Sequence, residues 1–147
     1  MSTSPPSKNS GTTLVKGALF LESQPNHFMT ITPSEQTYVA RIGDLELACS
    51  DDVIIIHEVA HLILDPVVYF PESTVKLTHL KSNEHSTNCP IKGQTTYFDL
   101  KYDVLELENI AWTYEDPIAL ASKIRSYIAF DTAQVRVISR HPADQLV

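Results

Sequence analysis

Basic charge is scarce in this chain of 147 residues: eleven lysines and arginines face eighteen acidic residues, for a formal net charge of −7. That balance repels a phosphate backbone and offers no counterion-releasing surface, so nucleic acid is excluded as an expected partner. Cysteine is scarcer still, with only Cys49 and Cys89. A reducing compartment leaves both as free thiols, and a structural disulfide is not expected. No run approaches the length of a membrane-spanning helix, and the polar start MSTSPPSKNS lacks the basic-then-apolar order of a signal peptide. The expected setting is therefore cytoplasmic, with no membrane partner, as a monomer or homodimer. A hydrophobic content of 43% suffices for one core but not for two.

Residues 1–11 combine Ser, Thr, Pro and Asn with almost nothing apolar, so they read as a disordered arm. An N-terminal extension at 12–26 is mildly apolar, broken by Gly17 and closed near Pro25. From His27 to about residue 138 short β-branched and aromatic segments alternate with turn chemistry, and 139–147 reads as a tail. Ile42-Gly43-Asp44-Leu45 reads as a tight hairpin. One segment differs: in DPIALASKIRSYIAF the apolar residues Ile118, Ala121, Ile124 and Ile128 recur at helical spacing. The prediction is a mainly β domain carrying one α-helix at about 116–130, with Asp116 as N-cap and Pro117 in the first turn.

HEVAH at residues 57–61 has the spacing of a zinc metallopeptidase. That chemistry requires a helix, on which both histidines reach one ion and the Glu activates its water. The preceding run Val53-Ile54-Ile55-Ile56 is β-branched throughout and suits a pleated sheet better. On a strand the two histidine Cβ atoms stand roughly 13 Å apart, too far for one ion. The peptidase reading therefore remains an outsider. So does Mg²⁺-dependent nucleotidyl transfer through Asp44 and Glu46, because no Gly-Ser phosphate loop precedes them.

HSTNCPIKG at 85–93 is richer. Pro90 fixes the backbone after Cys89, and Gly93 allows a reversal after Lys92, so one loop presents His85, Thr87, Cys89 and Lys92. An imidazole or ammonium beside a thiol favours the nucleophilic thiolate. The alternative is that Cys89 is a small buried apolar group and His85 serves a turn. Trp112 and Tyr114 share one side of a strand and could form an aromatic wall, or simply fill a core; Tyr69 is equally ambiguous.

The order of YFP at 69–71, Val75, HSTNCPIKG, Tyr97, NIAWTYEDP at 109–117, IAF at 128–130 and VRV at 135–137 resembles the bacterial and fungal domain-of-unknown-function family 427 (DUF427). The resemblance extends over roughly 27–138. Cys49, Thr74 and Thr95 stand where that family often has Asp, Asp and Ala. It implies a β-tent, two antiparallel sheets leaning over a concave face, with Glu58 at the end of a strand. Many tents are pinned by zinc on four cysteines, which this chain cannot supply, so no metal and no cofactor are expected. The favoured function is binding of a small anionic or aromatic molecule between the sheets. Its ligands would be Glu58, Tyr69, Trp112 and Tyr114 together with His85, Thr87, Cys89 and Lys92 of the loop. The rival is a cysteine-dependent enzyme or redox-active protein using Cys89 with His85 as base.

Overall fold

The computed structural model describes residues 16–140. The expected arm at 1–11 and residues 141–147 of the expected tail lie outside them. In chain order the strands are β1 (Leu19–Phe20), β2 (Phe28–Ser34), β3 (Thr37–Ile42), β4 (Leu45–Ser50), β5 (Val53–Val59), β6 (Val67–Pro71) and β7 (Leu80–Ser82). They continue with β8 (Asn88–Cys89), β9 (Gly93–Gln94), β10 (Thr96–Tyr102), β11 (Leu105–Thr113), β12 (Tyr127–Phe130) and β13 (Arg136–Arg140). Eight strands form one sheet in the order β1-β2-β5-β6-β12-β11-β10-β7, three form a second in the order β13-β3-β4, and β8-β9 is a separate hairpin. The mainly β, antiparallel architecture is thus as expected. So is the hairpin at residues 42–45, where Ile42 pairs with Leu45 and Gly43 takes φ +57°.

The strands of the large sheet are sorted by the pleat, which sends successive side chains to opposite faces. On β6, Val68 and Phe70 point to one face while Val67 and Tyr69 point to the other; on β12, Ile128 and Phe130 are split from Tyr127 and Ala129 in the same way. The first face packs on the three-stranded sheet through Ala40, Leu47 and Ala48, and Phe70 meets Phe130 edge-on at 5.6 Å. The second face holds Met29, Ile54, Ile56 and Tyr69, and Ile91, Tyr114, Ala121 and Ile124 pack with them. The β8–β9 hairpin and the chain at 116–125 thereby cover that face. Both faces of the central strands are buried, which explains the unbroken apolar run that opens β5.

The α-helix expected at 116–130 is not formed. Residues Ala119–Ile124 make a kinked 3₁₀ segment, and Tyr127–Phe130 belong to β12. The apolar spacing misled because Ala121 and Ile124 recur at three residues, the period of a 3₁₀ helix. Ala121 departs from helical geometry at φ −108°, and Ser126 turns the chain at φ +67°. Asp116 is not the N-cap: Ile118 occupies that position, no side chain caps it, and Asp116 instead lies 3.5 Å from Arg125.

The covering layer is latched at its turns. Ile118 donates its backbone N–H to Lys92 O at 3.0 Å, and Thr95 donates to Thr87 O at 2.9 Å. Gly93 takes φ +119°, and a Cβ there would sit 3.4 Å from Ile118 N and 3.5 Å from Asp116 O. Gly93→Ala is therefore expected to cost about 1–3 kcal/mol through backbone strain, read as a lower urea midpoint.

Candidate functional site

Three distant segments converge on the second face of the large sheet. Antiparallel pairing of β2 with β5 sets Met29 opposite Glu58, which brings His27 within reach of the same carboxylate. Lys92 arrives from the β8–β9 hairpin. His27 Nε2 donates to Glu58 Oε2 at 2.6 Å, and Lys92 Nζ donates to Glu58 Oε1. The side chains are 19%, 13% and 8% exposed for His27, Glu58 and Lys92, so the three groups form a chain mostly withdrawn from water. Burial pushes the Glu58 carboxyl up, but hydrogen bonds from His27 and Lys92 and the charge of Lys92 outweigh it and hold it below its ordinary value of 4.5. Glu58 is thus an anion compensated on both oxygens. The Lys92 ammonium also lies 6.0 Å above the Tyr114 ring, within cation–π range.

Aromatic side chains surround this chain in a row across the sheet. Ile54 pairs with Tyr69, Tyr69 with Ala129, Ala129 with Trp112 and Trp112 with Tyr97. Trp112 Nε1 donates to the Tyr69 hydroxyl at 3.3 Å. Burial, reinforced by the neighbouring Glu58 and Cys89, pushes the Tyr69 and Tyr114 hydroxyls far up, so both stay neutral donors at physiological pH. Cys89 is a free, half-buried thiol on β8. One ligand atom each from His27, Glu58 and Cys89 lies within 4.8 Å of the others. A cleft of about 470 Å³ opens beside this trio, walled by residues that include Gln24, Pro25, Asn26, His27, His61 and Pro90.

The structure brings together Glu58, Cys89, Lys92, Tyr69, Tyr114 and Trp112, as the sequence suggested, but not between the two larger sheets. That space is filled by the core of Leu47, Phe70 and Ile128, and the site lies on the opposite face, under the β8–β9 hairpin. Tyr69 and Tyr114 are buried, at 2% and 5% exposure, and belong to the packing beneath the cleft rather than to its wall. Thr87 is exposed and ties the hairpin, its N–H donating to Thr95 Oγ1 at 2.7 Å. His85 is exposed as well, its ring tilted at 57° against Tyr97 at a centroid distance of 4.6 Å.

HEVAH opens in extended backbone, as its β-branched approach predicts: residues 57–59 end β5, and Ala60 and His61 lie in the bend that follows. His57 and Glu58 are neighbours on β5 and face opposite ways; His57 is exposed, and His61 lies beyond the strand at the cleft wall. Glu58 is the member of the motif that enters the site. Asp44 lies in the turn between β3 and β4 and Glu46 on β4 of the three-stranded sheet, 3.8 Å from Arg140. The imidazole that sequence reasoning missed is His27. It stands 31 residues from Glu58, and only the pairing of β2 with β5 could have announced it.

No curated protein matches the chain. The model of a protein family described as "Domain of unknown function (DUF427)" matches residues 30–141, a span that takes in most of the chain and the site residues above except Gln24, Pro25, Asn26 and His27. With the motifs from Tyr69 to Val137 in place on the sheets just described, the chain belongs to the DUF427 family.

Proposed function

We propose that this domain binds a small molecule in the cleft beside His27, using the charge chain of His27, Glu58 and Lys92 as its polar recognition group. The observation that carries this reading is that His27 is at once a wall of the cleft and the outer end of a mostly buried charged network. A concave site with a few convergent polar groups, one of them shifted in pKa, is what small-ligand sites have in common. Lys92 and His27 Nε2 are already committed to Glu58, so an anionic group on the ligand would meet the other ring nitrogen of His27 and the imidazole of His61. A flat ring would lie against Pro25 and Pro90. The acidic balance of the chain supports a small-molecule ligand over nucleic acid. Among the described residues no helix is long and apolar enough to cross a membrane.

A thermal-shift screen of small aromatic and anionic compounds tests the reading. Hits should lose about tenfold in affinity, roughly 1.4 kcal/mol, in His61→Ala or Asn26→Ala. Unchanged affinities in both variants would remove the cleft as the site. The second reading, a cysteine-dependent enzyme or redox protein, is favoured by the approach of His27 and Glu58 to Cys89. It puts His27, rather than His85, in the position of base. The two readings part on Cys89→Ser, which leaves ligand affinity intact under the first and abolishes chemistry under the second.

A further inference from the structure

The geometry points to a binding site for one thiophilic divalent cation, zinc above all, held by Cys89, His27 and Glu58. It reaches beyond the small-molecule reading and does not depend on it.

The donors are a thiol, an imidazole and a carboxylate, the three side-chain types that bind zinc. Each comes from a different part of the fold: Cys89 from β8, His27 from the turn before β2, and Glu58 from β5. Tetrahedral zinc with ordinary bond lengths sets its ligand atoms roughly 3.3–3.6 Å apart. The observed separations bracket that value, from 2.6 Å between His27 Nε2 and Glu58 Oε2 to at most 4.8 Å across the trio. Small rotations of three half-buried side chains therefore suffice. Among the described residues this is the one His/Cys/Asp/Glu group with such convergence.

The surroundings support the same conclusion. A carboxylate that ligates through one oxygen is held in place by a hydrogen bond to the other. Lys92 supplies that bond on Glu58 Oε1, leaving Oε2 on the side of His27. Lys92 is itself only 6% exposed, and its loop is fixed by Pro90 and by the bond from Ile118 to Lys92 O. The divalent cation and the Lys92 ammonium face a carboxylate and a thiolate, which leaves one net positive charge for an anion or hydroxide in the open position to offset. On uptake the Cys89 thiol proton and the proton between His27 Nε2 and Glu58 Oε2 are displaced, the imidazole staying neutral with its remaining proton on Nδ1, and sulfur–, nitrogen– and oxygen–metal bonds form in their place, so no oxidant or co-reactant is needed. Three protein donors leave at least one coordination position for water or another ligand, the mark of an open rather than a purely structural site. The HEVAH motif thus contributes to a metal site through its Glu alone, from a strand, with neither of its histidines.

Cobalt(II) is the probe, because tetrahedral cobalt absorbs in the visible and a cobalt–thiolate bond adds a near-ultraviolet charge-transfer band. Titration of the full chain should saturate at one equivalent with both features. Cys89→Ser should abolish the near-ultraviolet band, and His27→Gln should keep it while weakening binding by more than the ~10–100-fold typical of outer-shell losses. Cys49→Ser, altered on the three-stranded sheet, should match the unaltered protein. Because a variant can fail to fold, a second measurement uses the unaltered protein: one equivalent of zinc should shield Cys89, located by peptide mass, from iodoacetamide. No charge-transfer band, a band that survives Cys89→Ser, or equal alkylation with and without zinc would each overturn the site. Run on chelator-treated protein, the thermal-shift screen of small molecules reads ligand affinity without metal, so the two ideas fail separately.

Discussion

Glu58→Gln is expected to lower the stability of the metal-free protein by about 3 kcal/mol, the scale of a broken buried ion pair. The substitution keeps the shape and removes the charge. Lys92 is then left with an ammonium that is 8% exposed and lacks its anion, and His27 loses the acceptor for its 2.6 Å hydrogen bond. The new amide also turns donors toward donors, which leaves polar groups unsatisfied. Lys92→Met should cost less, because Glu58 keeps its bond from His27. The double variant should be more stable than the two single losses imply, with a coupling on the order of 1–3 kcal/mol in urea-denaturation cycles. Additive losses would show that the two side chains do not act as a pair.

Phe70→Ala should cost about 4 kcal/mol by the same measurement, a typical loss for emptying an aromatic core position. Phe70 is fully buried between the sheets and packs edge-on against Phe130 with ring planes at 76°. The three-stranded sheet and the large sheet both pin its surroundings, so neighbours can fill the space only in part. Trp112 lies on the opposite face. Its folded-state fluorescence should therefore change little while the urea midpoint falls, which separates loss of the core from loss of the site.

Some of this architecture was plain in the sequence, and the reasons are local. The run Val53-Ile54-Ile55-Ile56 announces β5 because four stiff β-branched residues suit a pleat, and Gly43 announces its hairpin because the turn needs a positive φ. Cys89 and Lys92, from the loop motif, and Glu58, from the family resemblance, were singled out in the sequence, and the fold sets the three side by side. The stretch at 116–130 was not, because a three-residue apolar spacing serves an α-helix and a 3₁₀ segment alike. Its fate was decided by pairing with β6 and β11, where Ile128 meets Phe70 and Thr113. His27 was hidden for a similar reason: the register of β2 against β5 is a long-range fact with no trace in the five residues around it. The side of the large sheet that carries the site was likewise set by what covers each face, the three-stranded sheet on one and the β8–β9 hairpin on the other.

The division of labour between the two faces of the large sheet carries a lesson for how such a domain can diverge. Val68, Phe70, Ile128 and Phe130 answer to volume, whereas Tyr69, Trp112 and Glu58 answer to hydrogen bonding and charge. On β6 the two kinds of demand fall on adjacent residues, Tyr69 and Phe70. Substitutions accumulated by relatives should therefore follow a period of two, freely exchanged aliphatic and aromatic letters interleaved with fixed polar ones. A new ligand preference could then be acquired through the even or odd positions of a strand while the opposite set goes on maintaining the scaffold.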